Sequence, residues 1–240
     1  MNDTNMNRLP VPTWNQCGVN TAPAAAALPE PAGDWGEANF AVTLPAGVGE
    51  SEEEFTAFAE SGMGAEVDAF MLENATVRHA LTVAEGVTVA EPAVFEFTLD
   101  AAHPNAVSVL DVDVKANASV TLVQVLRGDA ENGVAANLVR IRAAEGAHVK
   151  LVQVQLLGSR AHRWDAVAVE ECTGARVEQV RVELGGSVSP AAPAPCWTTP
   201  RPSMTSMPST LAVPKPCWTT TMSRCTLPRT PCARCTPPVC

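Results

Sequence analysis

From Ala75 to Glu183 the chain alternates apolar and polar residues with a period of two. Thr76-Val77, Leu81-Thr82-Val83, Val87-Thr88-Val89 and Val94 to Leu99 follow it, and so, for the most part, does Val107 to Val114. Side chains point to opposite faces of a strand in turn, so this pattern predicts half-buried strands. Glu85-Gly86 and His103-Pro104-Asn105 supply the turns between them. The strands also repeat. Asn117 to Val125 lines up with Gly146 to Val154 and again with Gly174 to Val182, at spacings of 29 and 28 residues. Leu138 to Arg142 and Trp164 to Glu170 form further strands between the copies. A Gly/Asn-Ala turn and a short strand recurring at this period predict stacked β-coils, because one coil cannot bury its own apolar face. On periodicity alone a β-sandwich competes with that architecture.

Upstream the pattern is weaker. Residues 1–50 are rich in Pro, Ala and Gly and read as irregular. Ser51 to Ser61 predicts a short helix, with Ser51 as cap, Glu52 to Glu54 at the positive end of the dipole, and Phe55, Phe58 and Ala59 on one face. Ala65 to Leu72 predicts a second helical segment. The organisation expected is an irregular and helical region over 1–72, an all-β core over 73–186, and a separate tail over 187–240.

Composition sharpens the last boundary. Residues 1–183 hold all 26 acidic residues against 11 cations, whereas the tail has five cations and no acid. Six of the eight cysteines and 12 of the 20 prolines follow Gly186. An acidic body argues against nucleic acid or an anionic membrane as partner, since phosphate binding needs clustered Lys and Arg. The first residues, MNDTNMNRLP, have neither the basic nor the apolar region of a secretory leader. No apolar run reaches the length of a membrane span. With only Cys17 and Cys172 ahead of the tail, a cytoplasmic setting is expected.

Several stretches resemble one family. Val83 to Pro92, His103 to Val109, Asn117-Ala118-Ser119-Val120 and Val182 to Gly186 are similar to the turns and strand ends of the SufB/SufD family of iron–sulfur cluster assembly scaffolds. Leu9-Pro10 to Trp14 is similar to the Pro/Trp-containing start of SufD-type members, and the short N-terminal region favours that type. The resemblance covers roughly residues 75–186. It implies a right-handed parallel β-helix, or solenoid. It also implies a cytoplasmic complex with a SufB-like scaffold and a SufC-like ATPase, in which an Fe–S cluster is built for delivery. The family's later coils, interface histidine and ATPase-docking helices have no counterpart after Gly186.

The tail repeats one word. Pro195 to Thr199 and Pro216 to Thr220 both read PCWTT. As a zinc site it lacks ligands: Cys232 and Cys235 form one CxxC, no second pair accompanies them, and the tail has no His. A disulfide scaffold needs an oxidising compartment. A Pro/Thr-rich disordered tail is a further reading, though two tryptophans fit it poorly. The remaining reading is a shifted frame. Read from the third base of the Pro codon, each PCWTT must encode Leu-Asp at its centre. Met204-Thr205 must then give Asp, and Met207-Pro208 must give Ala. Acids return to a stretch that otherwise has none. The shift would lie between Gly186 and Pro195, and the tail would be out-of-frame and disordered.

No residue stands out as catalytic, cofactor-binding or metal-ligating. His79, His103, His148 and His162 read as solvent-facing side chains. Cys172 reads as a small residue near a turn, despite Glu170 and Glu171 beside it, and Cys17 lies in a loose stretch. Ser108, Ser119 and Ser159 lack a nucleophile elbow, and no phosphate-binding glycine motif is present. The expectation is a non-catalytic Fe–S assembly scaffold of SufD type, binding no cofactor as written and defective in its tail. Two alternatives stay open: a β-solenoid binding or structural protein with a genuine Cys/Pro-rich tail, and a carbohydrate-active β-helix enzyme, whose groove carboxylates are not apparent.

Overall fold

A computed structural model describes residues 5–6, 22–23, 39–51, 55–56, 58–186, 196–198 and 209–212. Strands β1 (Asn5–Met6) and β2 (Ala22–Pro23) pair with each other, antiparallel. The next two are β3 (Phe40–Thr43) and β4 (Val48–Glu50), followed by helix α1 (Ala65–Asn74). Eight strands then run through the body: β5 (Val77–Val83), β6 (Ala93–Leu99), β7 (Asn105–Val114), β8 (Ser119–Gly128), β9 (Val134–Ala143), β10 (His148–Leu157), β11 (His162–Glu171) and β12 (Arg176–Glu183). Two short strands of the tail, β13 (Cys196–Thr198) and β14 (Ser209–Ala212), complete the order.

From β5 onward consecutive strands alternate between two six-stranded sheets, ordered β14-β12-β10-β8-β6-β3 and β13-β11-β9-β7-β5-β4. From β5 onward every pairing is parallel. This is a parallel β-solenoid, as the repeat predicts, and the sandwich falls. The register reproduces the sequence repeat: Ser119 pairs with His148, and His148 with Arg176. The turns stack as well. Asn117, Gly146 and Gly174 have φ of 57°, 68° and 73°, in the left-handed region where Asn and Gly cost least. Asn117 N donates to Glu145 O at 2.9 Å, and Gly146 N to Thr173 O at 3.2 Å. Each turn thus hydrogen-bonds the turn of the next coil.

The two sheets bury one apolar lumen, built from Phe95, Leu122 and Leu151 on one side and Leu110, Ile141 and Val169 on the other. Phe40 closes the first end, 4.8 Å from the Phe97 ring and 5.2 Å from His79. A second cluster lies outside, where α1 sets Val67 and Met71 on Val107, Leu138 and Trp164. Each such buried side chain stabilises by about 1.5–3 kcal/mol.

Three expectations are corrected. Residues 40–43 and 48–50 are not irregular, because β3 and β4 add antiparallel strands to β6 and β5. The described part of Ser51 to Ser61 is not helical; Glu52 to Glu54 lie outside the described residues. Tertiary contacts claim its backbone instead. Phe55 N donates to Asp111 Oδ2 at 3.0 Å, and Phe55 O accepts from Arg140 Nη1 at 2.9 Å. Its ring stacks on Phe58 and carries the Arg142 guanidinium 4.2 Å from its centroid. Finally, Val87 to Val89 contributes a single bridge, Thr88 to Ser119, rather than a strand.

Candidate functional site

The lumen changes character from coil to coil. Along the first sheet, one inward ladder reads Phe95, Gln124, Gln153, Arg181, and its neighbour reads Phe97, Leu126, Gln155, Glu183. Across from them, on the second sheet, run Ala106, Ala135, Arg163 and Ser108, Asn137, Asp165. The interior thus passes from aromatic to amide to charged toward the tail. Arg163, Asp165 and Glu183 are 1%, 0% and 3% exposed, so the charge is fully inside.

The charged layer is bonded across the lumen. Asp165 Oδ1 accepts from Gln153 Nε2 at 2.6 Å and lies 3.1 Å from Arg163 Nη2. Asp165 Oδ2 lies 2.7 Å from Arg181 Nη2. Arg163 Nη1 reaches Glu183 Oε1 at 3.5 Å. Gln153 continues the chain to Gln124 Oε1 at 3.0 Å, and Ser108 Oγ donates to Asn137 Oδ1 at 2.7 Å. Two arginines therefore face two carboxylates. Desolvation pushes the Glu183 carboxyl up against the pull of Arg163 and Arg181, and lowers the Arg181 guanidinium. Arg163 Nε, Gln155 Oε1, Glu183 Oε2 and Asn137 Nδ2 are buried without a hydrogen-bond partner. Such atoms are costly to leave unpaired, and they gather toward the coil that the tail follows.

Chemically this is a charge-balanced column of donors and acceptors that can hold polar groups in an otherwise apolar core. It is not a nucleophile–base pair. The sequence reading missed these residues, although their signal was present. Gln124, Gln153 and Arg181 occupy equivalent positions in the three aligned repeats.

The residues weighed from sequence do not converge. Ser108 is in the column, Ser119 lies at the start of β8, and Ser159 is exposed in a turn. His148 is exposed as expected, and His103 Nδ1 lies 3.2 Å from Asp100 in its turn. His79 and His162 are instead partly buried, and burial lowers both their pKa values. Glu170 pairs with Arg142 at 3.2 Å, and Glu171 accepts from Val177 N at 3.2 Å. Cys172, expected to be a small residue near a turn, is disulfide-bonded. Cys17 and the second PCWTT lie outside the described residues. Among the described residues, no three His, Cys, Asp or Glu side chains group as a metal site, and no helix is long and apolar enough to cross a membrane.

Comparisons with known proteins bear on this fold. No curated protein and no solved structure matches the chain. Residues 97–203 match the family model described as SUF system FeS cluster assembly, SufBD core domain. The matched stretch begins in β6 and takes in the polar coils of the solenoid.

Proposed function

We propose that this chain carries the first coils of a SufD-type, non-catalytic scaffold subunit for iron–sulfur cluster assembly. It would work with a SufB-like scaffold and a SufC-like ATPase, the cluster being the cargo of the complex. The observation that carries this reading is the SufBD core match over residues 97–203, laid on a parallel solenoid. The reading includes a change of coding frame between Gly186 and Pro195, which makes the protein defective as written.

The first PCWTT falls in register with the second sheet. On the second sheet three strands carry an apolar residue followed by a charged one just before their last residue: Val112-Asp113, Ile141-Arg142 and Val169-Glu170. The next strand sets Cys196 beside Val169 and Trp197 beside Glu170. Read one frame over, the codons at Cys196, Trp197 and Thr198 must give Leu, Met or Val, then Leu, then Asp, which sets an apolar residue beside Val169 and an acid beside Glu171. The match to the family runs past the proposed junction as far as Ser203, so the tail starts where a further coil belongs.

Co-expression with a SufB-like and a SufC-like partner tests the proposal. The chain as written is expected not to retain the ATPase on affinity purification, and the frame-restored gene is expected to retain it. Retention by the written chain would show that its tail is functional, and failure by both would remove the SufD assignment.

A further inference from the structure

A groove on the outside of the first sheet remains unused by this reading. It arises from a mismatch between two coils. Thr88 bridges Ser119, and Ala93 pairs with Leu122. Four residues of one coil (89–92) therefore stand against two of the next (120 and 121). Extra residues of this kind bulge from a ladder and leave neighbouring positions unpaired. The result is a groove of about 180 Å³ lined in part by Ser119, Thr121, His148, Lys150, Arg176 and Glu178.

The solenoid brings these six together. Ser119, His148 and Arg176 stack in one ladder, and Thr121, Lys150 and Glu178 stack in the next. Adjacent strands lie about 4.8 Å apart, and every second residue along a strand about 6.6 Å, so one small ligand can touch both ladders. Arg176 forms an ion pair with Glu178 at the far side. The side chains of His148 and Lys150 are exposed, and neither makes a hydrogen bond or ion pair among the described residues. Three basic side chains in one concavity reverse the charge of a body that holds 26 acids against 11 cations.

We infer that this groove binds the phosphate group of a small molecule. Lys150 supplies a point charge, Arg176 a guanidinium edge, and Ser119 and Thr121 hydroxyl donors; together they suit a compact oxyanion with several oxygens. Glu178, paired with Arg176, holds the guanidinium at the edge of the groove. The inference does not depend on the assembly role above.

Backbone amide NMR on the full chain, titrated with inorganic phosphate and separately with glycerol phosphate, tests it. Saturable shifts are expected at Ser119, Thr121, His148, Lys150 and Arg176. Lys150→Gln should weaken the affinity about tenfold, the usual worth of one charge-assisted contact. Lys115→Gln, whose ammonium pairs with Asp113 at 2.7 Å, should leave it unchanged. Tighter binding of glycerol phosphate shows that the groove also holds the organic portion, and equal binding shows that it reads the phosphate alone; both support the site. No saturable shift with either probe, or equal affinity in wild type and Lys150→Gln, overturns it.

Discussion

Asp165→Ala is expected to destabilise the solenoid by about 3–5 kcal/mol, the usual cost of stranding a buried charge. Asp165 is fully buried and lies within 3.1 Å of Arg163 and 2.7 Å of Arg181. Removing it leaves two guanidinium groups with Glu183 alone, in a space that water does not reach freely. Gln153 loses its 2.6 Å acceptor in the same step. Asp165→Asn separates charge from shape, since it keeps an acceptor for Gln153 but still leaves the arginines unbalanced. It should therefore lose most of the same stability. Urea unfolding measures both. Losses below about 1 kcal/mol for both variants would mean that the arginines already reach solvent and that the column is not a closed network.

Gly128→Ala should come next in severity. Gly128 ends β8 with φ of 95°, and a Cβ there would sit 2.0 Å from Leu99 O and 2.8 Å from Leu99 N. Both neighbours are backbone, so neither can swing away. Gly64→Ala provides the comparison, with φ of 101° and nothing within 4 Å of its Cβ. The strained backbone alone costs about 1–3 kcal/mol in each. The excess loss in Gly128→Ala measures how tightly the coils close on one another. Equal thermal shifts in the two variants would show that the β6–β8 contact yields.

How much of this was legible in the sequence depends on what each residue contacts. The coils were, because each strand repeats its own neighbour's pattern: Ser119, His148 and Arg176 align in the sequence and pair in the fold. Helix α1 was also visible, since Ala65 to Leu72 carries acids in its first turn and no breaker. The segment around Phe55 was not. Its helical pattern is real, but Arg140 and Asp111, far along the chain, take its backbone groups. The polar column was concealed by inverted alternation. In β8 the inward residues run Val120, Leu122, Gln124, Leu126, while Val123 and Val125 face outward and are only partly covered. A rule that puts valine inside and glutamine outside misassigns all three central positions. Only the register between coils, which aligns Gln124 with Gln153 and Arg181, corrects it.

On the proposed reading a SufD-like solenoid loses its reading frame where its next coil should begin. Sequencing the coding DNA across codons 186–196, paired with an intact mass of the expressed protein, tests it most directly. One base lost in that interval, relative to a gene that encodes the continued solenoid, is the expected result. An intact base count there, together with a mass equal to the 25.2 kDa of the 240-residue chain, would contradict it.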